Sequence, residues 1–227
     1  MKPQLTAQPI RQKMNCQEAH LPELELSTCQ VREALQCLLH TILFVRAPGP
    51  VTPYDCDCEN FNLTYSKIGK IEDVDRQVDE SIEKFMLSLK PIGPELSRGD
   101  ISLSFFERRV TKQLFGLVSN EERIIWEVWN IPVLVNSTPR PVNDDTASVI
   151  ERQRIQDTAE TIIRDAILKI FANASAGIDH VPPVMYEFQI KVVNVGERGG
   201  KGSGDKEERE NVYARVANMP ALINLSS

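Results

Sequence analysis

Apolar positions along this chain fall into two periods, and the switches between them mark out the elements. In LPELELS, Leu24 and Leu26 alternate with glutamates, which predicts a first strand at Leu21–Ser27. Ser27 and Gln30 then fit a capping box, so a helix begins near Cys29. It runs to about Val45, with Val31, Leu35, Leu38, Leu39 and Ile42 on one helical stripe. Ala34, Cys37, Leu43 and Phe44 fill much of the remaining circumference. A helix apolar nearly all round must be covered on most sides. Either it is central to the core, or one side of it meets a partner. Ala47-Pro48-Gly49-Pro50 stops it.

A loop then leads to a short strand near Phe61–Lys67. A second helix is predicted at about Glu72–Lys90, with Val74, Val78, Ile82, Phe85, Met86 and Leu89 on one face and charge on the other. Pro91, Gly93 and Pro94 end it. Ile101–Arg109 alternates as a strand should. Ile124–Val135 is apolar on both faces, the pattern of a covered strand, and its Pro132 implies a bulge or an edge. Between them, Val110–Arg123 reads as a connection holding the apolar stretch Leu114-Phe115-Gly116-Leu117-Val118. A long helix at about Thr146–Ala174 has Ile155, Ala159, Ile162, Ala166 and Ile170 along its inner face. Asp144 and Asp145 sit near its start, where the helix dipole favours negative charge. A strand at Val184–Val193 follows, then the polar, glycine-rich segment Gly196–Glu210 and a weak strand near Val212–Val216. Strands from both halves with two or three helices predict an α+β domain with one mostly antiparallel sheet packed by helices.

Composition narrows the function. A chain of 227 residues, 41% apolar and 26% charged, suits one domain with tails. The net charge of −6 repels phosphate backbones, so nucleic acid is not an expected partner. There is no run of about 18 apolar residues and hence no predicted spanning helix. The first 13 residues are basic and lack an apolar core, unlike a secretory signal. Five cysteines without such a signal point to reduced thiols in the cytosol or nucleus. In that setting the four Asn-x-Ser/Thr matches are chance.

Catalytic and metal chemistry find little support. Cys56-Asp57-Cys58 supplies donors but not the paired spacings of a zinc site, and no metal is expected. In the glycine-rich segment, Lys201 stands where a phosphate loop requires glycine, so it reads as a linker. His20, His40 and His180 have no nucleophile in a recognisable setting nearby. A small hydrolase or transferase would need a polar pocket with a perturbed group, which the sequence does not supply. No cofactor is expected. The apolar stretch Leu114–Val118 has two readings. It plugs the domain's own core, or it is a finger whose Leu114, Phe115, Leu117 and Val118 anchor a partner.

Several segments together resemble one family. They are Met14-Asn15-Cys16, the first-helix stretch Cys37-Leu-Leu-His40-Thr41-Ile-Leu-Phe-Val-Arg46, FNLTY at 61–65, ISLSFF at 101–106 and Trp126-Glu127-Val128-Trp129. In this order and spacing they look like the autophagy-related protein 101 family, over about Met14 to Val193. The resemblance implies a HORMA-like single domain, its mostly antiparallel sheet packed by three helices, with no enzymatic activity. It also implies a subunit of the autophagy-initiation kinase complex, cytoplasmic and recruited to the phagophore assembly site. There it would form a heterodimer with the HORMA domain of autophagy-related protein 13. By position, Leu43, Phe44 and Val45 would lie in that contact. Met14 matches the family's usual start, which makes 1–13 a flexible extension, 14–195 the HORMA domain, 196–210 a linker and 211–227 a terminal strand or tail. The family's Trp-Phe finger before the Trp-Glu-Val-Trp strand is not matched, since no tryptophan lies between Arg109 and Trp126. An alternative within the fold is a peptide-trapping HORMA protein of checkpoint or meiotic type, using the C-terminal segment.

Overall fold

The computed structural model of the chain describes residues 16–69, 71–113, 118–138, 141 and 143–193. In chain order the elements are β1 (Gln17–His20), β2 (Leu24–Ser27), α1 (Thr28–Val45), β3 (Pro53–Asp57), β4 (Thr64–Ile68), α2 (Glu72–Ser88), β5 (Lys90–Pro91), β6 (Leu96–Gln113), β7 (Val118–Asn136), α3 (Thr146–Ser175) and β8 (Glu187–Val193). β6 and β7 form the antiparallel centre of an open sheet. β5 and β8 pair antiparallel with the free side of β6, and β1 and β2 pair parallel with the free side of β7. β3 and β4 make a separate hairpin. This is an α+β fold with a mostly antiparallel sheet and three helices, in line with the HORMA-like domain that the resemblance implies.

α1 is the hub, touching β2, β4, β7, α2 and α3. Its predicted stripe is buried throughout, and so are Ala34, Cys37 and Leu43 around it. The capping box forms: Gln30 Oε1 accepts from the Ser27 backbone N–H (3.1 Å) and from Ser27 Oγ (2.7 Å). α3 starts on a real cap too, since the Asp145 carboxylate accepts from the Ser148 backbone N–H at 3.0 Å. The Ser148 hydroxyl, 2.7 Å from Asp145 Oδ2, and then the backbone bond hold the Asp145 carboxyl below the usual carboxylate range. On its inner face Ala159, Ile163, Ala166 and Ile170 are buried, while Ile162 is only partly so.

The structure corrects several boundaries. The expected strand Leu21–Ser27 splits into β1 and β2, because Pro22 lacks the N–H a ladder needs. Leu21 N–H still reaches Asn130 O at 3.0 Å. The loop after α1 contains β3, whose residues are mostly exposed and so show no apolar alternation. The expected strand Phe61–Lys67 forms only from Thr64, α2 stops at Ser88, and β8 starts at Glu187. The connection Val110–Arg123 is strand at both ends, for β6 and β7 pair in unbroken register from Phe106↔Ile125 to Gln113↔Val118. Beyond Phe106, where pairing with β8 stops, and before Glu127, where pairing with β1 begins, the described residues of these two strands pair only with each other. Glu107–Gln113 thus forms one side of a two-stranded ribbon. At about 3.3 Å per residue it projects roughly 20 Å from the sheet.

β7 is also not covered on both faces. Trp129, Ile131, Val133 and Val135 are buried against the helices, whereas Val128, Pro132 and Leu134 on the other face are only half-buried. Pro132 sits in the sheet's interior without a bulge. It lies opposite the gap between β1, which ends at Asn130, and β2, which starts at Val133. The bulge lies elsewhere, between Phe105 and Phe106, and it leaves Trp126 as the extra residue of β7.

The β3–β4 hairpin is strapped onto α1. Glu33 accepts from the backbone N–H groups of Glu59 and Asn60, and Glu160 of α3 accepts from that of Asn62. His40 lies beneath it, 5% exposed, its ring 6.1 Å from that of Tyr65. Burial pushes its pKa down to about 4, and the Asp75 carboxylate, 3.7 Å away, is too far for a hydrogen bond that would offset this. The unfolded chain binds this proton below about pH 6.5, and the folded chain only near pH 4. Stability from this group is therefore complete above pH 6.5 and is lost as pH falls towards 4, by a few kcal/mol in all. His40→Leu is expected to flatten that limb of a urea-denaturation series from pH 7 to 4. An unchanged slope would assign the limb to other groups.

Candidate partner interface

The C-terminal end of α1 is built on a buried ion pair. The helix closes at Arg46, whose N–H donates to Ile42 O at 3.1 Å, and Gly49 takes the left-handed turn (φ 83°) that leads the chain away. Arg46 points inward and is only 6% exposed. Its Nε lies 3.1 and 2.9 Å from the two carboxylate oxygens of Glu127, which is 1% exposed, and its Nη1 lies 3.4 Å from Ala174 O at the end of α3. Trp129 Nε1 donates to the same carboxylate, and His180 Nε2 lies 2.9 Å from it. The Tyr186 hydroxyl donates to Arg46 O. Burial pushes the Tyr186 pKa up to about 12, so the group stays a donor.

The bulge positions the middle of this cluster. Glu127 shares the inner face with Trp129, two residues on, and the bulge turns Trp126 inward beside it. Trp126 packs on Phe105 (ring centres 5.4 Å apart), edge-on to Tyr186 (4.8 Å) and against His180 (5.8 Å). Four separate stretches of chain are thereby fixed to the last turn of α1: β7, the end of α3, the loop carrying His180, and Tyr186 just before β8.

On this base Phe44 and Val45 are half-buried, each with one side against the core. Leu43 is fully buried and belongs to the core of this chain. Of the three residues expected at a partner contact, then, two present surface. Exposed apolar side chains are also found in the segments tied to this end of the helix: Leu168 and Phe171 on α3, and Ile178, Val184 and Met185 after it. Leu114, Phe115 and Leu117 of the expected finger lie outside the described residues. Val118 is the first described residue of β7, paired through its backbone with Gln113. The segments at 1–13 and 196–227 also lie outside them.

All five cysteines are free, and Cys37 is buried in α1, where hydrogen bonding to Cys58 and burial push its thiol well up. Among the described residues no group of three His, Cys, Asp or Glu side chains is placed to hold a metal, and no helix is long and apolar enough to cross a membrane. Sequence reasoning missed Arg46, Glu127, His180 and Tyr186. The one available signal was Glu127 itself, a charge inside an apolar strand pattern, which demands a buried partner.

Comparison with known proteins agrees with the resemblance. A profile of the family described as Autophagy-related protein 101 matches residues 23–187. The chain is 33% identical to Autophagy-related protein 101 of Arabidopsis thaliana over 194 residues, covering 79% of this chain and 88% of that protein. It is 25% identical to the Xenopus laevis protein of that name and 24% to the Homo sapiens one, each over 205 residues, 80% of this chain and 91% of theirs. None of these names carries a catalytic term.

Proposed function

The chain belongs to the autophagy-related protein 101 family, and from that premise we propose that it is a non-catalytic adaptor of the autophagy-initiation kinase complex. It acts by heterodimerising with the HORMA domain of autophagy-related protein 13, and it helps recruit downstream factors to the phagophore assembly site from the cytoplasm. The observation that carries the reading is the end of α1, where half-buried Phe44 and Val45 sit on a fixed, buried ion pair. Rigid apolar anchors of this kind lose little entropy on binding. The β6–β7 ribbon supports the recruiting role by its shape, as a two-stranded arm reaching past the rest of the sheet.

The test is copurification and size-exclusion chromatography with the HORMA domain of the same organism's autophagy-related protein 13. A one-to-one complex is expected, and Phe44→Asp is expected to abolish it while leaving the circular dichroism spectrum and melting of the isolated chain in place. A complex that survives Phe44→Asp would move the interface elsewhere. Loss of folding in that variant would make Phe44 a core residue.

A further inference from the structure

At the other end of α1 a cleft of about 430 Å³ opens between the start of the helix, the end of β7 and the first turns of α3. Leu26, Pro141, Ile155 and Ala159 give it apolar walls, and Gln30 and Arg154 supply donors. Gln30 is fully buried at its floor. The orientation of its amide is fixed, because the Ser27 backbone N–H can only donate and so must face Oε1. Nε2 therefore points away with two N–H groups, and it has no partner among the described residues. A buried, unpaired amide nitrogen costs about 1–3 kcal/mol, which an acceptor in the cleft would recover. The first turn of α1 carries no acidic side chain, so the positive end of its dipole is not offset from within the helix. Arg154 stands exposed at the mouth, its guanidinium on Glu151 at 2.8 and 2.9 Å. Two carboxylates also line the cleft: Glu25, on the exposed face of β2, and Glu151, which is paired with Arg154.

We propose that this cleft binds a carboxylate carried on a short apolar stem, with the carboxylate on Gln30 Nε2 and the start of α1, and the stem along Leu26, Ile155 and Ala159. The chemistry is that of a glutamate side chain in a partner or of a small free carboxylic acid. It is independent of the contact at the opposite end of α1.

The experiment is a titration of the full ¹⁵N-labelled chain, followed by NMR through the Gln30 side-chain amide and, in every variant, through the backbone amides of Ser27, Thr158 and Ala159 that line the cleft. The probes are butyrate and, separately, N-acetylglutamate methylamide. Saturable shifts with a Kd on the order of 1 mM are expected. Stronger binding of the capped glutamate would point to a partner's side chain, and equal binding to free acids. Gln30→Glu keeps the capping box, because glutamate serves at that position, but it removes both donors and adds a negative charge. It is expected to weaken binding at least about tenfold. Arg154→Ala, on the exposed face of α3, is expected to weaken it several-fold with no change in melting. No shift at tens of millimolar probe would overturn the proposal and leave water as the occupant. So would affinity unchanged in both variants, or in Arg154→Ala alone if Gln30→Glu does not fold.

Discussion

Glu127→Ala is expected to lower the unfolding free energy by about 3–5 kcal/mol, because among the described residues it leaves the buried Arg46 guanidinium only Ala174 O as partner. In a chain of this size that is a fall of roughly 6–20 °C in melting temperature. The Coulomb gain of the pair is not itself the reason, since desolvating two charges offsets most of it. The penalty arises when one charge is left behind. The double variant Arg46→Met with Glu127→Leu is therefore expected to recover much of the loss, and the cycle of single and double variants isolates the coupling. Urea denaturation of the four proteins of that cycle and of Glu127→Ala decides the matter. A loss below about 1 kcal/mol for Glu127→Ala would mean that water reaches Arg46. The same variant is expected to weaken partner binding beyond its effect on folding, since it loosens the last turn of α1 under Phe44 and Val45.

Phe85→Ala is expected to cost a similar amount, about 3–5 kcal/mol, from lost burial and the cavity left behind. Phe85 is fully buried and fastens α2 to the sheet. Its ring lies directly over Gly99 of β6, so closely that a Cβ there would come within 2.6 Å of Phe85 Cε2 and 3.0 Å of Leu89 Cδ2. Glycine at 99 is thus a packing requirement, since its φ is not positive. Gly99→Ala should destabilise the wild-type chain by about 1–3 kcal/mol through overpacking. In the Phe85→Ala background it should cost much less, because the methyl enters the vacated space. Equal costs in both backgrounds would show that the ring does not set the constraint.

Much of the fold was legible locally. The apolar circumference of α1, the Ser27–Gln30 capping box and the one-sided face of α2 all follow from spacing, because a helix organises residues three and four apart. The strands read less well. β3 shows no alternation because neither of its faces is buried, and the ribbon halves of β6 and β7 are held by ladder hydrogen bonds to each other, which leave little trace in side-chain type. Pro132 shows the limit of a local rule. It is tolerated in an interior strand only because β1 and β2 leave a gap beside it.

The candidate site was half visible. The excess of apolar residues on α1 signalled a contact, and its last turn supplies Phe44 and Val45. Leu43, one residue earlier, faces the core. That difference depends on the helix's angle to the sheet, which no spacing encodes. By itself, then, the sequence determined the helices, the capping box of α1, the acidic balance and the family. Only the tertiary structure decided that Arg46 meets Glu127 across 81 residues, that His180 meets it across 53, and that Tyr186 closes the cluster across 140. A buried charge requires a partner without specifying which, and the bulge at Trp126 and the packing of α1 select it.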